Sequence, residues 1–441
     1  MPVIARQAVH PLTARQRGVA SLVIVALLFF VMSLVAAYTN RNLIFEQRTS
    51  ANQYRSTMAL EAAEAGVEWA ISLLNAGSID DSCNPSADPG DTTFRERYLE
   101  IDPETGLITA VAPDANARGT AFPSCVFDGT DWSCSCPAEG TAAPAAPAGT
   151  GPFPAFQVRL SRASATHPGL VLVEVNGCTR LSADCLNFPP TSVPGEGRAS
   201  VSVLVALRSA LPALPAAALT VRGGIDVGAA ALGAYNTSPL GSGITIQAGG
   251  DIGASTRAAL RLGTVDGSPG ETSLRTNDPV LGGAGMTAER LFQTTFAADP
   301  LRFEEQPGLR RLVECDGTCT ADTIRAVAAL NRGRILWVDG DVDFDTAGDV
   351  GSADQPLMLV ATGSITFSSP VTFHGVLYSR AEDWATSGAG EVRGAVIAEG
   401  SLSGTGSHTI VHELELLRRL QWRTGSFVRV PGGWADFRDV E

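Results

Sequence analysis

The chain has 441 residues and no lysine, so every strongly basic side chain is an arginine. This absence excludes a nucleotide-binding phosphate loop, because such a loop uses a lysine to reach the phosphates. The glycine-rich stretch at 282–285 is therefore not predicted to bind phosphate. A formal net charge of −14 also argues against nucleic acid as a partner, since phosphate backbones attract basic surfaces.

Aromatic residues make up only 6% of the chain, and there are five histidines. His408 and His412 have the spacing of a helical zinc pair, but Thr409 stands where that motif has its glutamate. No other arrangement of nucleophile, acid and base stands out, so we predict no catalytic residues and no enzyme activity. Glycine and proline are common, at 46 and 26 residues, which indicates a β-rich protein with many turns.

A strongly apolar stretch without a charged residue runs from residue 19 to residue 40. As a helix it would be about 33 Å long, enough to cross a hydrocarbon core of roughly 30 Å. Arg6, Arg15 and Arg17 precede it with no acidic residue, so the positive-inside rule predicts a cytoplasmic leader and an extracytoplasmic remainder. Two alternatives remain open: a secretory signal cleaved near residues 35–37, and an ordinary single-span anchor.

A helical pattern continues past the apolar stretch to about Leu74, and Asn75-Ala-Gly77 is a plausible C-terminal stop. Gly66 lies inside this pattern, where glycine costs about 1 kcal/mol relative to alanine. One apolar face is predicted to pack on the chain's own sheet, and it consists of Tyr54, Met58, Ala62, Ala65, Trp69 and Leu73. Leu60, Val67 and Ile71 give the helix a second apolar side, which suits a rod that touches its own domain and a neighbour at once.

The leader ends with Arg17-Gly18, and the apolar Val19 opens a long helical pattern. This arrangement resembles a type IV prepilin. Four N-terminal segments resemble the PilX-type minor pilins more closely: Arg17–Val23, Glu46–Arg48, Ala51–Gln53 and Ala59–Glu68. Three segments in the last quarter of the chain extend that resemblance: Trp337–Asp341, Asp349–Val360 and Val430–Phe437. The resemblance implies cleavage between Gly18 and Val19, methylation of the new amino terminus, residence in the inner membrane before assembly, and other minor and major pilins as partners through the helix.

Val23 departs from the pattern of major pilins. It would be the fifth residue of the mature chain, where major pilins place a glutamate that compensates the amino terminus of a neighbouring subunit. An unpaired charge in an apolar fibre costs several kcal/mol, and valine cannot compensate it. We hypothesise that this subunit is not repeated along a pilus shaft and acts in assembly, in priming or at the tip.

Eight cysteines follow the apolar stretch, and an even number on the oxidising side of a membrane predicts disulfides. We favour Cys178–Cys185 and Cys315–Cys319, because each pair flanks a short loop. The remaining cysteines leave three pairings open, and they are Cys83, Cys125, Cys134 and Cys136. A structural zinc site anchored at Cys134 and Cys136 is disfavoured, because one intervening residue is fewer than such sites use.

The predicted fold class is α+β, with a long N-terminal helix, an antiparallel pilin-like sheet and a large β-rich domain. Strand signals at 156–160, 169–175 and 199–207 predict the sheet, and helical patterns lie at 288–296, 323–330 and 412–423. Apolar runs begin near residues 335, 357, 375 and 394, a repeat that favours a β-solenoid over an irregular sandwich. The predicted regions are a leader (1–18), a stalk helix (19–76), an irregular linker (77–155), the sheet (156–210) and the head (211–441).

Four alternating aspartates are the weak candidate for a cofactor site: Asp339, Asp341, Asp343 and Asp345. On a strand they would share one face, where carboxylates could hold Ca²⁺. The alternative is a solvated acidic edge that discourages strand-to-strand aggregation. Apart from this possible calcium we expect no cofactor.

The function that these observations favour is that of a PilX-type minor pilin. One alternative is a tip pseudopilin of type II secretion, whose added domain would be largely helical. Another, of a different class, is a membrane-tethered β-solenoid enzyme that acts on glycans, which would need a cleft with paired carboxylates.

Overall fold

The computed structural model describes residues 18–88, 90–111, 122–138, 144–149, 151–182, 196–265, 270–312 and 315–436. The chain divides into two compact units, residues 1–57 and 58–441, and the boundary lies within the first helix. The leader, with Arg6, Arg15 and Arg17, lies outside the described residues.

The helices and strands follow one another along three parts of the chain. The first part contains α1 (Gly18–Leu74), β1 (Ser78–Ile79), β2 (Thr92–Thr93), α2 (Phe94–Tyr98), β3 (Leu99–Ile101), β4 (Ile108–Ala110), β5 (Ser124–Phe127), β6 (Trp132–Ser135), β7 (Ala155–Arg162), β8 (Leu170–Cys178) and β9 (Arg198–Ser209). The middle part contains β10 (Ala217–Val221), β11 (Ile225–Asp226), β12 (Gly233–Asn236), β13 (Ile244–Ala248), α3 (Ala254–Ala259), β14 (Arg261–Thr264), a 3-10 helix (Gly270–Ser273), β15 (Leu274–Arg275), α4 (Ala288–Phe296) and α5 (Pro300–Glu304). The last part contains β16 (Leu309–Leu312), β17 (Cys319–Thr320), α6 (Ala321–Leu330), β18 (Ile335–Val338), β19 (Val342–Asp343), β20 (Gly348–Val350), β21 (Leu357–Ala361), β22 (Ile365–Thr366), β23 (Val371–Ser379), β24 (Asp383–Thr386), β25 (Glu391–Ala398), β26 (Ser401–Gly404), β27 (Thr409–Val411), α7 (Leu414–Arg423) and β28 (Gly425–Ala435).

The antiparallel sheet has six strands in the order β28-β9-β8-β7-β5-β6. Its three central strands are the predicted ones, and Val171, Val173 and Val175 alternate into the core because successive side chains of a strand point to opposite faces. The sheet is wider than predicted at both edges. β5 and β6 come from the stretch expected to be irregular, and β28 comes from the end of the predicted head.

The prediction that residues 77–155 form an irregular linker is therefore wrong for part of this region. The region contains α2, the β3–β4 hairpin and the β5–β6 hairpin. These strands are three or four residues long, too short for their alternation to stand out in the sequence. Pairing of β5 with β7 holds this region on the sheet.

The head is a parallel β-solenoid with three faces, which confirms the predicted fold class. The first face has the order β15-β13-β10-β25-β23-β21-β18-β16. The second consists of two short sheets, β11-β26-β24 and β17-β19-β22, and the third has the order β14-β12-β27-β25-β23-β20. Apolar side chains of all three faces meet in one core that includes Leu336, Leu359, Phe373 and Val396.

β23 and β25 each turn a corner between the third and first faces. Gly375 and Gly394 lie side by side at this bend and have φ angles of 144° and 137°. A Cβ on Gly375 would lie 1.8 Å from the Leu357 carbonyl oxygen. Glycine is required at this bend because only glycine adopts such angles and lets the backbones approach this closely.

The coils do not stack in chain order. The first coil pairs in register with the last: Leu219 with Val396, Ile225 with Leu402, and Ala234 with Ile410. The chain then leaves β15 at one end of the first face and re-enters at β16, at the other end. Helices α4 and α5 make this connection, and Phe292 packs on Tyr378 and Trp337 with ring centroids 5.4 and 6.1 Å apart.

Candidate assembly helix and its anchorage

The first half of α1 is an apolar rod whose side chains are not buried by the other described residues of its unit. Its side chains are exposed all round, with 71% exposure for Leu22, 72% for Phe29 and 68% for Tyr38. By length and composition the helix could cross a membrane, and none of its most apolar stretch is buried. The geometry therefore leaves this surface available for lipid or for other helices.

The predicted processing site lies at the start of this rod, since α1 begins at Gly18. Val23 lies one turn further on and is 54% exposed. The first acidic residue of α1 is Glu46, so the first half offers no carboxylate to a neighbouring amino terminus. Cleavage between Gly18 and Val19 stays a prediction.

The second half of α1 packs on the antiparallel sheet through small residues. The buried face consists of Ala59, Ala62, Ala63, Gly66, Val67, Ala70 and Leu74. The predicted face is confirmed at Ala62, which is buried, and at Trp69 and Leu73, which pack against the core of the sheet, whereas Tyr54 at its start is 63% exposed. Small side chains favour the observed face because they let the helix come closer to the sheet than large ones would.

Two glycines set this close approach. A Cβ on Gly66 would lie 2.7 Å from Val175 Cγ1 and 2.8 Å from the Phe156 ring. On the sheet, a Cβ on Gly177 would lie 2.1 Å from the Ala59 carbonyl oxygen. Gly66 is therefore a packing residue, which explains a glycine at a position where helix propensity alone disfavours it.

The end of α1 is tied to the last strand of the sheet. Asn75 is buried, and its side-chain amide bonds to the backbone of Phe427. The guanidinium of Arg95 is also buried and donates hydrogen bonds to four carbonyl oxygens, those of Leu74, Gly333, Arg423 and Gly425. Burial, helped by the nearby charge of Arg334, lowers the pKa of Arg95 to about 10. Sequence reasoning did not single out Arg95, because nothing local marks an arginine as buried.

Two disulfides cross-link the region between the helix and the sheet, and a third lies in the solenoid. Cys83 is bonded to Cys136, and Cys125 to Cys134, which resolves the pairings left open by the sequence. Cys315 is bonded to Cys319, the pair expected from its short loop. Cys178 is also disulfide-bonded. Its expected partner, Cys185, lies outside the described residues.

Three of the four aspartates share a surface groove on the second solenoid face: Asp341, Asp343 and Asp345. Asp339 lies apart from them and accepts a hydrogen bond from Trp337 Nε1 at 2.9 Å. Asp343 accepts from Thr366 Oγ1 and Ser368 Oγ on the next coil, at 3.0 and 2.8 Å. Within the described ranges, no group of three or more His, Cys, Asp or Glu side chains has the arrangement of a metal site.

His408 and His412 do not converge either. The His408 ring contacts the Thr386 hydroxyl, whereas His412 Nε2 lies 2.8 Å from the Pro215 carbonyl oxygen. Both are buried, and burial lowers the pKa of His408 to about 4 and lowers that of His412.

Comparison with known proteins bears on the helix. Residues 17–68 match the family described as PilX N-terminal. A search of curated protein sequences found no match. The structure of the competence-associated pilin ComZ from Thermus thermophilus is similar at 12% sequence identity and a TM-score of 0.20, covering 85% of this chain and 95% of that chain. That likeness is too weak to support an argument about fold or function.

The family match spans α1 from the predicted processing site to the part that packs on the sheet. It confirms the resemblance that the sequence segments in this region predict. The family match and the exposed apolar helix coincide in the N-terminal segment, and that segment is therefore similar to those of type IV pilin-like proteins.

Proposed function

We propose that this chain is a minor pilin of the PilX type that acts in priming or assembly of a type IV pilus, or at its tip. The observation that carries the proposal is the exposed apolar half of α1, which continues into a helix packed on an antiparallel sheet. An apolar surface of this length needs lipid or other apolar helices around it. The inner membrane would supply the first environment, and the helices of other minor and major pilins the second.

Val23 supports a position outside the repeated shaft. With no acid before Glu46, a subunit stacked on this one would find no carboxylate for its amino terminus. Removing that partner leaves a charge in an apolar bundle, which costs several kcal/mol. A subunit used once, at the tip or as a primer, has no such requirement.

The head favours the PilX type over a type II secretion pseudopilin. The pseudopilin alternative expected a largely helical added domain, whereas this chain winds through the parallel strands β10 to β27.

The solenoid enzyme alternative expected accessible paired carboxylates. Glu399 is a buried carboxylate of the solenoid, and it accepts hydrogen bonds from Tyr378 and Arg380 at 3.0 and 3.1 Å. Its side chain is only 3% exposed, so a substrate has no access to it. This arrangement favours a stabilising role for Glu399.

The absence of lysine gives a direct test of processing. Because the α-amino group is the single primary amine of the chain, an amine-reactive label reports only the state of the amino terminus. In protein recovered from sheared pili and from membranes, we expect an N-methylated Val19 terminus and no labelled Met1. A labelled Met1 terminus in the pilus fraction would contradict the proposal.

Two variants distinguish the cleavage routes. Gly18→Ala should block cleavage if a prepilin peptidase acts, whereas Ala37→Leu should leave processing unchanged. The opposite pattern would indicate a secretory signal and would remove the basis for the pilin proposal.

The tip position is tested separately by Val23→Glu. We expect pilus number to change little and the subunit to remain rare relative to the shaft protein, as measured by quantitative mass spectrometry. If the parent chain itself is as abundant in sheared pili as the shaft protein, the tip hypothesis fails.

A further inference from the structure

The third face of the solenoid presents a tyrosine whose ring lies over glycine backbone. Tyr235 is half-buried on β12, between the buried Ala234 and Asn236. A Cβ on Gly263 would lie 2.3 Å from Cδ1 of the ring, and a Cβ on Gly233 would lie 2.9 Å from Cε2. Glycine at both positions therefore clears the space that the ring occupies, and the ring lies close to the glycine backbone while it stays partly exposed.

Parallel pairing aligns the outward residues of five strands on this face in two columns. The first column is His374, Arg393, Val411, Tyr235 and Gly263, and the second is Thr372, Glu391, Thr409, Gly233 and Arg261. Adjacent strands are about 4.8 Å apart, so the columns form a strip roughly 19 Å long. We call these ten residues the Tyr235 strip.

The charged groups of Arg393 and Glu391 are accessible and balance one another. Arg393 pairs with Glu391 at 2.8 Å, and the two side chains are 43% and 35% exposed. The hydroxyl-bearing Thr372 and Thr409 flank Glu391 in the same column. Guanidinium, carboxylate and hydroxyl groups together offer both donors and acceptors along the strip.

We infer that the Tyr235 strip binds an extended, uncharged polysaccharide, with one sugar ring stacked on Tyr235. The face of an aromatic ring is electron-rich and attracts the slightly positive C–H groups of a pyranose. The hydroxyl groups of neighbouring sugars would exchange hydrogen bonds with Arg393, Glu391 and the two threonines. This inference does not depend on the proposed pilin function.

Other polymers fit the strip less well. A peptide that adds as a β-strand needs an open sheet edge, whereas Tyr235 lies on a strand that is paired on both sides. Nucleic acid needs an excess of basic groups, and on this strip Arg261 and Arg393 face Glu391 in a chain with a net charge of −14. A membrane surface would need more apolar area than Val411 and Tyr235 provide.

The test is affinity electrophoresis of the detergent-solubilised full chain in native gels that contain dextran, hydroxyethylcellulose or alginate. We expect at least one neutral glucan to retard the protein, with little effect of the acidic alginate. Tyr235→Ala should raise the apparent Kd at least tenfold, whereas Tyr235→Phe, which keeps the ring, should bind within about threefold of the parent chain. Gly263→Val should also weaken binding, because its side chain would displace the ring.

Trp434→Ala is the matched control, since Trp434 is an exposed aromatic residue on β28, outside the strip. It should be retarded like the parent chain. Thermal unfolding of each variant establishes that the solenoid is intact. The inference is overturned if no neutral glucan retards the protein, if alginate alone does, or if folded Tyr235→Ala is retarded as strongly as the parent.

Discussion

Asn75, just past the end of α1, pairs with the backbone of Phe427 as a neighbouring strand would. Its Oδ1 accepts from the Phe427 N–H at 2.8 Å, and its Nδ2 donates to the Phe427 carbonyl oxygen at 2.9 Å. Nδ2 also donates to the Ile71 carbonyl oxygen at 3.0 Å, inside the last turn of the helix. One side chain therefore ends the helix and fixes it to the final strand of the sheet.

Asn75→Ala should destabilise the unit formed by residues 58–441. The variant would leave the N–H and carbonyl groups of Phe427 buried without partners, and each such group costs about 1–3 kcal/mol. We expect a loss of about 3 kcal/mol in the free energy of unfolding, measured by urea denaturation with tryptophan fluorescence. Asn52→Ala, at an exposed helical position, should change it by no more than about 0.5 kcal/mol. Equal denaturation midpoints for the two variants would show that the pairing contributes nothing.

The pairing of Asn75 with Phe427 also marks the limit of what the sequence predicts. Period and turn signals locate α1, the central strands of the sheet and the solenoid repeat, because each depends on neighbours close in the chain. The same local signals predict the stop at Asn75. They do not predict its partner, since 352 residues separate the two and no local pattern reports a contact at that distance.

For the same reason, the order of the coils along the chain does not predict the order in which they stack in the head. The runs at 335, 357, 375 and 394 follow one another as stacked coils, so the repeat is visible in the sequence. The coil at 217–236 stacks on the last of them although the paired residues are about 175 positions apart in the chain. The predicted helix face includes the exposed Tyr54 and omits Gly66 and Ala70, because apolar size is its signal for burial whereas close packing selects alanine and glycine.

Gly66→Ala should destabilise the protein although alanine is the better helix former. The gain in helix propensity is about 1 kcal/mol, but the new methyl group would lie 2.7 Å from Val175 and force overpacking that costs about 1–3 kcal/mol. We expect a net loss of about 1 kcal/mol in urea denaturation. Ser72→Ala, on the exposed side of the same helix, should be neutral or slightly stabilising.

Gly177→Ala extends this argument to the sheet. Its Cβ would meet the Ala59 carbonyl oxygen, a backbone atom that cannot rotate away. We therefore expect a larger loss of stability than for Gly66→Ala. The reverse order would mean that the helix shifts freely over the sheet and that close packing is not what holds it.

Removal of single disulfides should destabilise in the order of the loops they close. By the chain-entropy argument, the 53-residue separation of Cys83 and Cys136 is worth about 4 kcal/mol, and the nine-residue separation of Cys125 and Cys134 about 3 kcal/mol. Cys315 and Cys319, four residues apart, should contribute about 2 kcal/mol. Paired alanine variants, denatured under oxidising conditions, check this order. An equal loss of unfolding free energy for all three disulfides would indicate that they stabilise the protein through local packing and not by restricting the unfolded chain.

His408 should make the solenoid sensitive to mild acid. The folded pKa of about 4 lies below the ordinary value of 6.5, because the ring is buried against Thr386 and Phe367. Between these values the unfolded chain binds a proton that the folded chain does not, so stability falls as the pH drops from about 6.5 to about 4. The full effect of this one group is about 3 kcal/mol.

The measurement compares the parent chain with His408→Gln at about pH 7 and about pH 4.5. The variant loses stability at pH 7 because it disturbs the packing of the buried ring, but it carries no group that must be kept unprotonated. The difference in unfolding free energy between the parent chain and His408→Gln should therefore become smaller as the pH falls. His167→Gln, on an exposed loop, controls for loss of a histidine without burial. The prediction is contradicted if the difference in unfolding free energy between the parent and His408→Gln stays constant or widens toward pH 4.5. His408 would then take up its proton in the folded solenoid at least as readily as in the unfolded chain.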